Sequence, residues 1–269
     1  MADNSARGRL FLVGLGPGDP GQATAAALAV LGQCDVIVGY QGYIQQIGPL
    51  VQGKELVALE LGQELERAAR AIDLAYAGRA VAVVSSGDAG IYGMAGPVFR
   101  VLTDRDWDGL APRVEVVPGI SALQSAAALL GSPLMQDFCA ISLSDLLTPW
   151  EAIRRRVEAA AQGDFVVALY NPRSRRRDWQ LPAARNILLS HRAGDTPVGL
   201  VKDAYRPGQQ VTITDLEHLE AECQNVDMFT IVIVGNSTTY VHRGHMVTPR
   251  GYEEKLARRA GVPGHRPGV

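Results

Sequence analysis

Short runs of aliphatic and β-branched residues alternate along the chain with longer stretches whose apolar positions recur at helical spacing. Leu10–Gly14, Asp35–Val38, Ala80–Ser85 and Val114–Val117 read as strands. Thr24–Leu31, Glu64–Ala77 and Pro97–Leu102 read as the helices between them. Such alternation predicts a mostly parallel sheet with helical crossovers. A second series follows, with strands at Phe138–Leu143, Phe165–Tyr170, Pro197–Val201, Gln210–Thr214 and Phe229–Val234. Its helices are expected at Trp150–Ala161, Pro182–His191 and Asp215–Ala221. The last three strands follow closely, and Arg206-Pro207-Gly208-Gln209 reads as a hairpin turn, so part of the second sheet is expected to be antiparallel. Pro118-Gly119 punctuates the chain between the two series. The expected fold is therefore α/β, with two α/β domains at 1–118 and 119–252, the first sheet mostly parallel and the second mixed. The stretch 253–269, with Arg258, Arg259, Pro263, Gly264, Pro267 and Gly268, is expected to be a disordered tail.

The densest chemical signal follows the run Ala80–Val84. Residues 85–97 contain Gly87, Gly90, Gly93 and Gly96 together with one carboxylate, Asp88, and one phenol, Tyr92. Glycine lets backbone groups approach a ligand closely, and open α/β sheets bind ligands at the carboxyl ends of their strands. An ordinary strand-to-helix turn is the plain alternative. The first strand ends in Gly14-Leu15-Gly16-Pro17-Gly18-Asp19, which begins like a dinucleotide fingerprint. Its third glycine is replaced by Asp19, whose charge would oppose a pyrophosphate at a helix entrance. Asp19 and Thr24 are equally well read as caps of the following helix. Pro118-Gly119-Ile120-Ser121-Ala122 supplies a third such segment. There Ser121 serves either as the N-cap of a helix over Ala122–Leu130 or as a ligand-facing hydroxyl.

Tyr170-Asn171-Pro172-Arg173-Ser174-Arg175-Arg176-Arg177 is the most basic segment. Cations at a helix start oppose its dipole. The run is therefore either a solvated helix start or a place where guanidinium groups meet carboxylates or phosphates. His242 and His245 have no carboxylate or cysteine beside them and read as surface residues, so no metal is expected.

Composition narrows the class. The 269 residues are 47% hydrophobic with a formal net charge of −2, which fits a soluble protein with real cores and gives no global attraction to nucleic acid. The apolar runs are too short for a membrane span, and no signal segment is visible. Cys34, Cys139 and Cys223 are scattered, as expected of reduced thiols in the cytoplasm.

Together these pieces resemble the tetrapyrrole methylase family. The likeness is carried by Gly14–Asp19, Asp35-Val36-Ile37-Val38-Gly39-Tyr40, Ser86-Gly87-Asp88-Ala89-Gly90-Ile91-Tyr92-Gly93 and Pro118–Ala122, within a match running from Leu10 to Tyr252. Tyr43, Ser142-Leu143-Ser144-Asp145, Tyr170–Ser174, Val234-Gly235-Asn236-Ser237 and Met246–Tyr252 look most like the branch that methylates C17 of precorrin-3B in cobalamin biosynthesis. Ala89 departs from the family's usual proline, which implies a slightly looser loop.

The resemblance implies a homodimer of two-domain subunits, S-adenosylmethionine folded in the cleft between the domains, and a tetrapyrrole over the first domain. Pro17, Gly87, Asp88, Ala89, Tyr92, Ser121 and Ala122 are then expected to line the cofactor pocket. Ser142, Asn171, Met228 and Thr230 are expected to complete it from the second domain. Asp88 and Tyr92 are the candidate catalytic groups. Tyr40, Arg173 and Arg176 are the candidate substrate contacts. Other corrin-pathway tetrapyrroles, including cobalt-factor III, are the nearest alternative substrates. A nicotinamide-dependent oxidoreductase and a non-catalytic tetrapyrrole carrier are the alternatives from other classes.

Overall fold

The apolar runs of the first half lie side by side as a parallel sheet. The computed structural model describes residues 8–174, 177–252 and 255. The chain divides between Ala122 and Leu123 into two units.

In the first unit the elements follow as β1 (Arg9–Gly14), α1 (Ala25–Gln33), β2 (Val36–Tyr40), α2 (Gln41–Gln46), β3 (Glu55–Leu59), α3 (Glu64–Tyr76), β4 (Ala80–Ser85), α4 (Ala95–Asp104) and β5 (Arg113–Val117). The strands order as β3-β2-β4-β1-β5, every pairing parallel. Both faces are covered. Leu10, Leu12, Val36, Val38, Val81 and Val83 pack on one side with Ile72 of α3 and Val98 of α4. Phe11, Val13, Ile37, Ala82 and Val84 pack on the other with Ala27 and Leu31 of α1. This two-sided burial is why the central strands read as continuous apolar runs rather than as alternation. Truncating one of their fully buried leucines to alanine costs about 2–5 kcal/mol.

The second unit takes in α5 (Ala122–Leu130), whose first residue lies at the division. It continues through β6 (Gly131–Ser132), β7 (Phe138–Ser142), α6 (Trp150–Gln162), β8 (Val166–Tyr170), α7 (Gln180–Leu189), β9 (Pro197–Lys202), β10 (Gln210–Asp215), α8 (Leu219–Glu222), β11 (Thr230–Val234), β12 (Tyr240–His242) and β13 (His245–Val247). Its main sheet orders as β10-β9-β11-β8-β7. Only β7 and β8 are parallel; the other pairings are antiparallel. Hence the carboxyl ends of β7, β8 and β9 and the amino end of β11 share one edge. Arg192, buried in this unit, donates to the carbonyls of Gly235, Ala160 and Phe165 and ties the opposite edge.

Several elements differ from expectation. β3, α2 and the small sheet β12-β13-β6 have no counterpart in the sequence reading. The helix expected over Asp215–Ala221 begins only at Leu219. Asp215 instead ends β10, and its carboxylate accepts the His218 amide at 2.8 Å, which arrests the chain in a turn. Of the stretch 253–269, only Lys255 is among the described residues. No described helix is long and apolar enough to cross a membrane.

Candidate functional site

Three loops leave the carboxyl ends of the neighbouring strands β4, β1 and β5, and the backbone itself locks them together. The Gly16 amide donates to the Gly87 carbonyl at 3.0 Å, and the Gly87 amide returns a bond to the Gly16 carbonyl at 2.7 Å. A Cβ on Gly14 would lie 2.6 Å from the Gly119 nitrogen, and one on Gly119 would lie 2.2 Å from the Gly87 oxygen. Only glycine permits this approach. Thr24 caps α1 by accepting from the Ala27 amide, and its hydroxyl donates to the Pro118 carbonyl. Asp19 caps the short 3-10 turn Pro20–Gln22 by accepting from the Gly21 amide at 2.7 Å. Asp19 and Thr24 thus both cap.

Asp88 spans two of these loops. Its Oδ1 accepts from the Gly90 amide at 2.7 Å, and its Oδ2 accepts from the Gly119 amide at 2.9 Å. The carboxylate is therefore a clamp that shapes the loop, with lone pairs left over for a ligand. Ala89 is fully buried among the core residues of α3 and α4, so packing anchors the loop where the family's usual proline is missing. Tyr92 is 55% exposed and holds a left-handed φ of 54°. A bulky side chain in that conformation costs about 1–2 kcal/mol, strain of a kind that gathers at functional sites. Below the loop, Ser85 Oγ accepts from the Met94 amide at 3.0 Å. The buried Arg67 donates to the Glu60 carbonyl and lies 3.3 Å from the Met94 sulfur.

Pro17 and Ser121 are buried. Ser121 stands directly before α5, and Ala122 opens that helix. Gly87, with φ 68°, would place a Cβ 3.6 Å from the Ser121 Cα, so glycine keeps the space between these two loops free of side chains. Tyr40 ends β2 and meets Tyr43 edge-on, with ring centroids 5.2 Å apart.

In the second unit, Ser142 ends β7 and Asn171 directly follows β8, its parallel neighbour. Asn171 Nδ2 donates to Ser142 Oγ at 2.9 Å, and Asn171 has a left-handed φ of 50°. The Tyr170 hydroxyl accepts from the Leu123 amide in the first turn of α5. Thr230 is buried and exchanges hydrogen bonds with Asp227. Burial opposes ionisation of Asp227, but bonds from Lys202, the Phe229 amide and Thr230 outweigh it and hold the carboxyl below its usual range. Met228 is half exposed.

The arginine run divides. Arg173 gives one Nη to the Cys223 carbonyl. Arg176 lies outside the described residues. Arg177, part of the run read as either a solvated helix start or an anion contact, is 5% exposed and turned inward. It donates to the carbonyls of Asn171 and Leu143 and lies 3.6 Å from the Met228 sulfur. Burial lowers its pKa, with Asp145 opposing the shift. Sequence reasoning missed Arg67, although its spacing from Ala71 and Ala75 puts it on the buried face of α3.

The first unit thus presents, at one sheet edge, closely packed glycines with Asp88 and Tyr92, and the second presents Ser142, Asn171 and Thr230. The first edge leaves room beside the glycines for a ligand, with Asp88 supplying negative charge.

The model of the Tetrapyrrole (Corrin/Porphyrin) Methylases matches residues 9–220. A cobalt-factor III methyltransferase of Priestia megaterium is 48% identical over 93% of this chain, which spans 46% of that longer protein. A probable cobalt-factor III C(17)-methyltransferase of Salmonella typhimurium is 45% identical over 90% of this chain and 99% of its own length. Among solved structures, the methyltransferase CobJ superposes with a TM-score of 0.85 at 37% identity, covering 90% of this chain and all of that one. A uroporphyrin-III C-methyl transferase from Thermus thermophilus, complexed with S-adenosyl homocysteine, superposes at 0.65 with 25% identity, over 85% of this chain and 97% of that one. The chain belongs to the tetrapyrrole (corrin/porphyrin) methylase family.

Proposed function

We propose that this chain transfers a methyl group from S-adenosylmethionine to C17 of precorrin-3B, with contraction of the macrocycle, in cobalamin biosynthesis. The observation that carries the proposal is the nearly end-to-end likeness to the Salmonella C(17)-methyltransferase. A second reading, with cobalt-factor III as the substrate, is favoured by identities of 48% and 45% to enzymes named for it. The relative named for precorrin-3B, from Sinorhizobium, stands at 38%. We place the activity in the cytoplasm, as the scattered cysteines suggest, and in a homodimer, as the family resemblance implies.

The loops fit the methyl donor. Gly87 keeps side chains out of the space beside Ser121, at the junction on which Pro17 and Ala89 also stand. We assign Ser121 and Ala122 with them to the cofactor site, and the family resemblance further implies cofactor contact by Ser142, Asn171, Met228 and Thr230. Bound there, S-adenosylmethionine supplies a sulfonium methyl open to in-line displacement by carbon.

Positioning of that displacement is the chain's main contribution. Asp88 fixes the loop on which Tyr92 stands, and its free lone pairs counter the donor's positive charge. The strained backbone at Tyr92 aims an exposed phenol, which donates a hydrogen bond to the substrate. Tyr40, braced by Tyr43, offers a second one. The donors that Arg173 does not spend on Cys223 pair a substrate carboxylate, a role shared with Arg176.

Calorimetric titration with S-adenosylhomocysteine and with a reduced nicotinamide nucleotide tests the class of this activity. Binding of the first alone is expected; binding of the nucleotide instead would turn the assignment to an oxidoreductase. A carrier without a methyl donor would bind neither.

A further inference from the structure

The sequence presents Arg177 as one more cation for an anionic ligand, but the structure gives its guanidinium other work. Three segments of the second unit reach the shared sheet edge: the loop after β7, the end of β8, and the turn before β11. Arg177 bonds to all three, through the Leu143 carbonyl, the Asn171 carbonyl and the Met228 sulfur. Its Nε lies 3.9 Å from Asp145, whose other oxygen accepts from Gln180 at 2.9 Å, so the hub is rooted in α7. Asn171 sits at φ 50°, a conformation that an L residue keeps only when its surroundings enforce it. A bond to its own carbonyl is a direct way to enforce it. The same Asn171 then carries the amide that meets Ser142.

We propose that Arg177 is a positioning residue for the methyl-donor site: its buried guanidinium fixes the Asn171 backbone and the Met228 side chain together, and donor affinity depends on that fork. This rests on the assignment of Ser142, Asn171 and Met228 to the donor site. Lysine cannot replace the function, because one ammonium lacks the planar set of donors that reaches three partners in different directions. The residue acts through its neighbours and touches no reacting atom.

Arg192 provides the internal control. It is comparably buried in the same unit and likewise has three partners, all of them carbonyls, but at the opposite sheet edge. A purely structural arginine in this unit should behave as Arg192 does. The experiment measures S-adenosylhomocysteine affinity by calorimetry, thermal stability, and the split of kcat and KM for donor and tetrapyrrole. It compares the full chain with Arg177→Lys and Arg192→Lys. Expected are a fall of about tenfold or more in donor affinity for Arg177→Lys, a matching rise in donor KM and an unchanged tetrapyrrole KM. Arg192→Lys should lose stability while keeping donor affinity. Equal donor affinity in Arg177→Lys and the parent, or equal losses in both variants, would overturn the proposal. Absence of donor binding by the parent would instead overturn the assignment of the site. If Arg177→Lys does not fold, Asp145→Asn carries the test, since it loosens the hub from a partly exposed position. A smaller fall in donor affinity with tetrapyrrole KM unchanged is then expected, and no fall would overturn the proposal.

Discussion

Asp88 Oδ2 accepts the backbone amide of Gly119 at 2.9 Å, joining the loop after β4 to the loop after β5 across 31 residues of sequence. The bond lies beside the contact of Gly14, Gly87 and Gly119, so a charged side chain and three bare backbones share one junction. A carboxylate bonded to amides on both oxygens is strong in this setting because its acceptors are ionised.

Substitution Asp88→Asn should therefore act first on the loop. An amide side chain turns one acceptor into a donor facing a backbone N–H, which costs about 1–3 kcal/mol. We expect lower thermal stability and weaker S-adenosylhomocysteine binding, with turnover at saturating donor largely retained. A fall of about 10²–10⁴ in kcat at unchanged stability would instead identify a proton-transfer role.

The glycine lock makes a graded prediction. Gly119→Ala drives a Cβ to within 2.2 Å of the Gly87 oxygen and should prevent the first unit from folding normally. Gly87→Ala has room at 3.6 Å but a φ of 68°, so it should cost about 1–2 kcal/mol. Gly48→Ala meets nothing within 4 Å and should lie within about 0.5 kcal/mol of the parent. Chemical denaturation of the three variants checks the order; a Gly119→Ala variant as stable as the parent would contradict the lock.

Much of this junction was legible because its chemistry is local. Gly14–Asp19, residues 85–97 and Pro118–Ala122 announce themselves by glycine density directly after apolar runs. The buried parallel strands were visible for the same reason. What was hidden depends on partners remote in sequence. β6 is a two-residue strand that exists only because Gly131 and Ser132 pair with Met246 and Val247 of β13. β3 lies at the sheet edge, where half-exposed positions blur its period. The inward turn of Arg177 is set by carbonyls that only the folded unit collects, so a count of charges could not reveal it.

Cys34 sets a pH limit. Burial is the main cause that pushes its thiol up from 9.0 to about 11, partly offset by Lys54 and Arg9. The folded state thus holds a proton that the unfolded state releases first. This contribution to stability is fully present below pH 9 and is lost as pH rises to about 11, roughly 2–3 kcal/mol in total. Denaturation midpoints should fall across that window in the parent and fall less in Cys34→Ala. Equal slopes in the two proteins would contradict the assignment.

Arg173 bears on substrate capture. With one Nη on the Cys223 carbonyl, its other donors are the ones assigned to a carboxylate of the macrocycle. Arg173→Ala should weaken tetrapyrrole binding and flatten its dependence on salt. Binding by fluorescence quenching across a salt series checks this, and parallel curves for parent and variant would remove Arg173 from the substrate site.

The central claim is methyl transfer to C17. The purified protein is incubated with methyl-deuterated S-adenosylmethionine and, in separate reactions, precorrin-3B and cobalt-factor III, and the products are analysed by mass spectrometry and carbon NMR. We predict one labelled methyl group at C17 of a contracted ring, formed from at least one of the two substrates. A label at another ring carbon, or transfer to neither substrate by protein that binds the donor, would contradict it.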